Sequence, residues 1–150
     1  MSLRRHWQVL LPCSVVIAYA AELDVHWRQL GNRVATHFSK SGVPNGWQSK
    51  DAFALTSILV IAFTLAVCLV LINAYGWSDP KKRQQLFAVY YGVTVFVGFI
   101  FWGLIQQNLH GGALGAISVI LQLAAAFGAG TLGYRIGGGW LGSEGGSPRP

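Results

Sequence analysis

Glu22, Asp24, His26, His37 and His110 are of the types that hold metals or move protons, and all five fall on what is expected below to be the outer side of a membrane. Glu22 and His26 stand four apart, so on a helix they share one face. A carboxylate and an imidazole so placed are metal-capable, and His37 is the nearest third candidate. The spacing fits no established site, because there is no HExxH and no zinc-type Cys/His pattern. No metal is therefore assigned. The structural expectation is that His37 hydrogen-bonds within its own loop and fixes the turn, and that Glu22 or Asp24 pairs with Arg28 or Arg33. Catalytic signatures are missing too: no GxSxG, no P-loop, no dinucleotide fingerprint. A b-type haem needs an axial His inside an apolar span, and His6 and His110 stand at the ends of spans. The expectation is a non-enzymatic chain without cofactor.

The second chemistry-bearing stretch is THFSKSGVPNGWQSK, Thr36 to Lys50. Val34, Thr36 and Phe38 alternate, which predicts a short extended segment. Ser39-Lys40-Ser41-Gly42 and Pro44-Asn45-Gly46 are turn chemistry. Trp47 has an apolar body and one N–H, suited to a headgroup layer. The stretch reads as a short strap, with His37, Phe38, Gly42, Trp47 and Lys50 as its contact residues.

The elements that position this strap are strongly apolar. Of the 150 residues, 53% are hydrophobic and 11% charged, less than half the roughly 25% charge of a soluble domain. Net charge is +6. The bases sit at the ends of apolar runs, at Arg4 and Arg5, at Lys81, Lys82 and Arg83, and at Arg135. That is an orientation pattern for a membrane protein and not a nucleic-acid patch. Cys13 and Cys68 lie inside apolar runs and read as buried free thiols.

Four apolar runs follow: Trp7 to Ala21, Ala52 to Trp77, Leu86 to Ile105, and Gly112 to Tyr134. The first is roughly 22 Å long as a helix, short of the ~30 Å hydrocarbon core. It spans only if it continues into AELDVHW. A cleaved signal peptide ending at Ala18-Tyr19-Ala20 is the alternative. The stretches Ser78 to Gln85 and Gln106 to Gly111 read as a hinge and a short link. Residues 136–150 form a Gly/Ser/Pro-rich flexible tail. The expected fold is an all-α integral membrane protein of four transmembrane helices. In it, residues 1–77 form a helix–strap–helix unit and 78–135 a second helical hairpin. Both termini are cytoplasmic, since the basic clusters share one side, and the strap, in loop 22–50, is extracytoplasmic.

Run four carries Gly111-x-x-x-Gly115, Ala124-x-x-x-Gly128 and Gly133-x-x-x-Gly137. Small residues four apart let helix backbones approach, within the chain or against a partner or second copy. Gln122 lies mid-span and wants a polar neighbour. No acid or base lies deep in a span, which argues against a pump or transporter.

The strap and its flanking helices resemble the family of domain of unknown function 1648. The matching residues are Val34, His37, Phe38, Gly42, Trp47 and Lys50. The likeness covers about Leu10 to Ala74, half the chain; Ser39 replaces the usual Asn and Asn45 the usual acid. Members resemble the N-terminal part of Sdp-type membrane immunity and signalling proteins. That implies a bacterial inner-membrane protein whose outer loop recognises a peptide or small ligand. Two other readings stand beside it. An accessory subunit of a larger membrane complex would pack through the fourth helix, and a metal-dependent membrane enzyme would use the outer His and acids.

Overall fold

The computed structural model of the chain describes residues 8, 10–39, 43–76, 79–111 and 116–138, with 116–119 by backbone alone. Helix α1 is Cys13–His26, strand β1 Arg33–Phe38, strand β2 Pro44–Ser49, helix α2 Lys50–Leu71, helix α3 Pro80–His110 and helix α4 Ala116–Gly137. A π-helical turn, Ile72–Gly76, extends α2. Asn73 spans that irregular turn by donating to the Leu69 carbonyl at 3.0 Å.

Local chemistry explains the boundaries. Pro12, with its fixed φ, stands at the N-cap of α1. The N-cap Ser49 is extended, and its Oγ accepts from the Ala52 N–H at 3.2 Å. Asp79 caps α3 by accepting from the N–H groups of Lys81 (2.8 Å) and Lys82 (3.3 Å), with Pro80 beside it in the first turn. That carboxylate offsets a basic first turn lying against the helix dipole. Gly111, at φ 62°, ends α3 in the left-handed region that glycine favours.

Helix α3 is the central element, touching α1, α2, α4 and β1. Its contacts fix an up-down arrangement. At one end Tyr91 Oη donates to the Gln8 carbonyl at 2.8 Å, and Arg83 Nε donates to the Gly137 carbonyl at the close of α4. At the other end Asn108 meets β1. The core holds Tyr19, Phe53, Ile61, Phe87, Tyr90 and Ile105, with Leu30 and, from β1 itself, Val34. Tyr19 Oη donates to Ser57 Oγ (2.7 Å), which donates to the Ala54 carbonyl (2.9 Å), so this buried polar pair is satisfied.

Helix α2 is apolar all round. One side buries Phe53, Ser57, Ile61, Leu65 and Cys68, and the other exposes Leu55, Leu59, Phe63, Val67 and Val70.

Several expectations are corrected. The chain is mostly helical but not all-α, since the strap is a two-stranded antiparallel hairpin. Two helical segments among the described residues, Lys50–Tyr75 and Pro80–His110, are long and apolar enough to cross a membrane, in place of the four expected. Helix α1, with 14 residues, reaches only about 21 Å. Helix α4 has 22 residues, of which 116–119 are described by backbone alone. The hinge at 78–85 and the link at 106–111 are largely the two ends of α3, because no helix breaker intervenes between Pro80 and Gly111. Residues 136 and 137 belong to α4, and 139–150 lie outside the described residues. The cleavage motif Ala18-Tyr19-Ala20 lies within α1, and residues 1–7 before it are outside the described residues.

Candidate functional site

The hairpin pairs Arg33 with Ser49, Val34 with Gln48, Ala35 with Trp47, His37 with Gly46 and Phe38 with Pro44. The register shifts between Ala35 and His37, a bulge at Thr36 that turns the strand. A lone hairpin is marginal in water, and this one is held from below. Asn108, on the last turns of α3, accepts from the Ala35 N–H with Oδ1 (2.8 Å) and donates through Nδ2 to the Ala35 carbonyl (2.9 Å). The side-chain amide thus acts as a third strand one residue long. Its Nδ2 also donates to the Leu104 carbonyl at 2.8 Å, which fixes the rotamer.

Lys50 supplies the second anchor. Its Nζ donates to the carbonyls of Trp27 (3.0 Å) and Leu30 (3.4 Å), past the end of α1, and lies 4.6 Å from the Trp27 ring centroid. A cation at a helix C-terminus meets the negative end of the dipole as well as the ring face. Lys50, expected as a contact residue, is therefore committed within the chain. His37 is exposed, its Nδ1 lies 3.3 Å from Thr36 Oγ1, and its ring stands over Gly46. Trp47 is 47% exposed and Phe38 half-buried. Gly42 and Lys40 lie outside the described residues.

Beside the hairpin, α1 and α3 build a polar cluster. Glu22 Oε1 accepts from Gln106 Nε2 (2.7 Å) and Trp102 Nε1 (3.2 Å), and lies 3.3 Å from His26 Nε2. The partner of Glu22 is thus His26, not Arg28 or Arg33, because the i,i+4 spacing already delivers an imidazole. All these contacts end on Oε1, and among the described residues none reaches Oε2. His37 does not join them, and among the described residues no three His, Cys, Asp or Glu side chains converge. Below the cluster lies a cleft of about 330 Å³ between α1 and α3, lined by Val15, Ala18, Tyr19, Val95, Gly98 and Phe99, with Glu22 and Trp102 at its hairpin end. Trp102, Gln106 and Asn108 were missed as site residues. Their signal was present: Trp102 and Gln106 are four apart, and share a helix face once α3 runs through the supposed link.

The small residues of α4 separate by face. Gly133 and Gly137 are buried against Phe87, Gln84 and Arg83 of α3. Gly130 and Gly92 meet across the same interface, where a Cβ on Gly92 would lie 3.2 Å from the Ala126 carbonyl. Ala124 and Gly128 point away, exposed, with open space over Gly128. Gly111 ends α3, and among the described residues nothing packs on it, so its part is conformational. Gly115 lies outside the described residues. Comparison with protein families, characterised proteins and solved structures returns no match.

Proposed function

We propose that this chain is a non-enzymatic bacterial inner-membrane protein whose hairpin is an outward-facing recognition surface for a peptide or small ligand. The observation that carries the reading is the division of labour within the hairpin. Asn108 and Lys50 clamp it to the helix ends, while His37 and Trp47 are left exposed on the clamped platform. A surface fixed in advance loses little entropy when it binds. The resemblance at Val34, His37, Phe38, Trp47 and Lys50 supports the same reading, of the Sdp immunity or signalling type. The membrane setting is supported by α2, whose exposed stripe is as apolar as its buried one. On this reading α1 and α4 cross the membrane beside α2 and α3, and the basic clusters lie on the cytoplasmic side.

The test is a photo-crosslinking amino acid at position 47 in cells, with position 63 on the exposed α2 stripe as control. The expected result is a discrete peptide or protein adduct from 47 that disappears in His37→Ala while insertion is unchanged. Adducts to lipid alone, or an adduct indifferent to His37, would sink the proposal. A second reading, an accessory subunit, is favoured by the open space over Gly128 beside an exposed Phe127. It requires that Gly128→Leu release a co-purifying partner without unfolding the chain.

A further inference from the structure

We infer that the cleft between α1 and α3 is a binding site for one phospholipid with a primary-ammonium headgroup, the phosphatidylethanolamine class. Its walls are built from successive turns of two parallel helices: Val15, Ala18 and Glu22 on one, Val95, Gly98 and Trp102 on the other. Seven residues of helix make the cleft about 10 Å long, parallel to the bundle axis. That is the direction in which a bilayer lipid presents its chains. At about 330 Å³ it falls at the low end of small-molecule sites, roughly 300–1,000 Å³.

Two features choose the occupant. The walls are apolar below Glu22 and Trp102, so a peptide backbone lying there would leave N–H and C=O groups unpaired, whereas an acyl chain leaves none. The hairpin end carries a carboxylate with one oxygen saturated by Gln106, Trp102 and His26 and the other without a partner among the described residues. A carboxylate repels an anionic headgroup. Its remaining lone pairs want a donor, which an ammonium with three N–H groups supplies and a trimethylated one does not. Trp102 beside it is a residue type found at headgroup depth. The contacts of Glu22 with α3 hold the acceptor in place before the lipid arrives.

The experiment is native mass spectrometry of the full chain after equilibration with equal amounts of phosphatidylethanolamine, phosphatidylcholine and phosphatidylglycerol of identical acyl chains. The wild type is expected to retain one phosphatidylethanolamine in preference to phosphatidylcholine by about tenfold, the size of a charge-assisted hydrogen bond. Glu22→Gln keeps the shape and weakens the acceptor, so the preference falls to about threefold or less. Ala18→Trp fills the cleft and loses the bound lipid whatever its headgroup. Equal retention of the three lipids, enrichment of phosphatidylglycerol, or a preference unchanged in Glu22→Gln overturns the assignment. If Ala18→Trp does not fold, the Glu22→Gln comparison decides alone.

Discussion

Asn108 does more structural work than any residue whose type drew attention in the sequence. Its amide satisfies both backbone groups of Ala35, a residue only 2% exposed. Replacement by Ala leaves that N–H and C=O without partners, and each orphaned group costs about 1–3 kcal/mol unless water enters. The expected loss is about 2 kcal/mol in a detergent unfolding titration, with hydrogen exchange rising first at Val34 and Ala35. Asn108→Asp should fall between the two, because it keeps the acceptor for Ala35 N–H and loses the donor. Equal protection in all three proteins would show that the hairpin stands without the clamp. Lys50 behaves differently. Lys50→Met removes the link between the end of α1 and the start of α2, and should free the Trp27–Leu30 turn while leaving Val34 protected. Of the imidazoles that drew attention in the sequence, His26 faces Glu22, and His37 stands exposed over Gly46.

At the scale of elements, the apolar runs were legible because length and absence of charge are local properties. The end of α3 was not. Gln106, Gln107 and Asn108 read as a link because three amides are unusual in a span; only tertiary partners at Glu22 and Ala35 show why a helix carries them. The strap's extended half was visible in the alternation of Val34, Thr36 and Phe38, but the pairing partner and the bulge depend on register, which no single strand encodes. The small-residue stripes posed a similar problem, since spacing alone does not say which face meets a neighbour. The structure puts Gly133 against the backbone of Phe87 and leaves Gly128 open. Gly133→Ala should therefore drive α4 away from α3 and destabilise by about 1–3 kcal/mol, the usual range for overpacking. Gly128→Ala should be neutral to within about half a kcal/mol. Thermal unfolding of the two variants in one detergent checks the contrast; equal shifts would mean that Gly133 is not packed against α3.

For the molecule as a whole, the proposed membrane setting implies a direction. Lys81, Lys82 and Arg83 open α3, and Arg83 reaches the Gly137 carbonyl at the close of α4, two residues beyond Arg135. Four bases thus gather at one end of the bundle. The opposite end carries Arg28 and Arg33, along with Lys50, whose ammonium is already used on backbone carbonyls and the Trp27 ring. Positive charge near span ends stays cytoplasmic, so the hairpin should face outward. A Cys13→Ala, Cys68→Ala background removes both native thiols. In it, Asn45→Cys at the hairpin should react with an impermeant maleimide added to intact cells. Lys82→Cys should react only after the membrane is opened. The reverse pattern would turn the protein over and put the hairpin in the cytoplasm, ending its candidacy as an outer recognition surface while leaving the lipid cleft intact. Labelling of both sites in intact cells would break the up-down arrangement itself. The carboxylate at Glu22 would then have no fixed depth, and the cleft would lose the alignment with lipid chains on which its ligand was assigned.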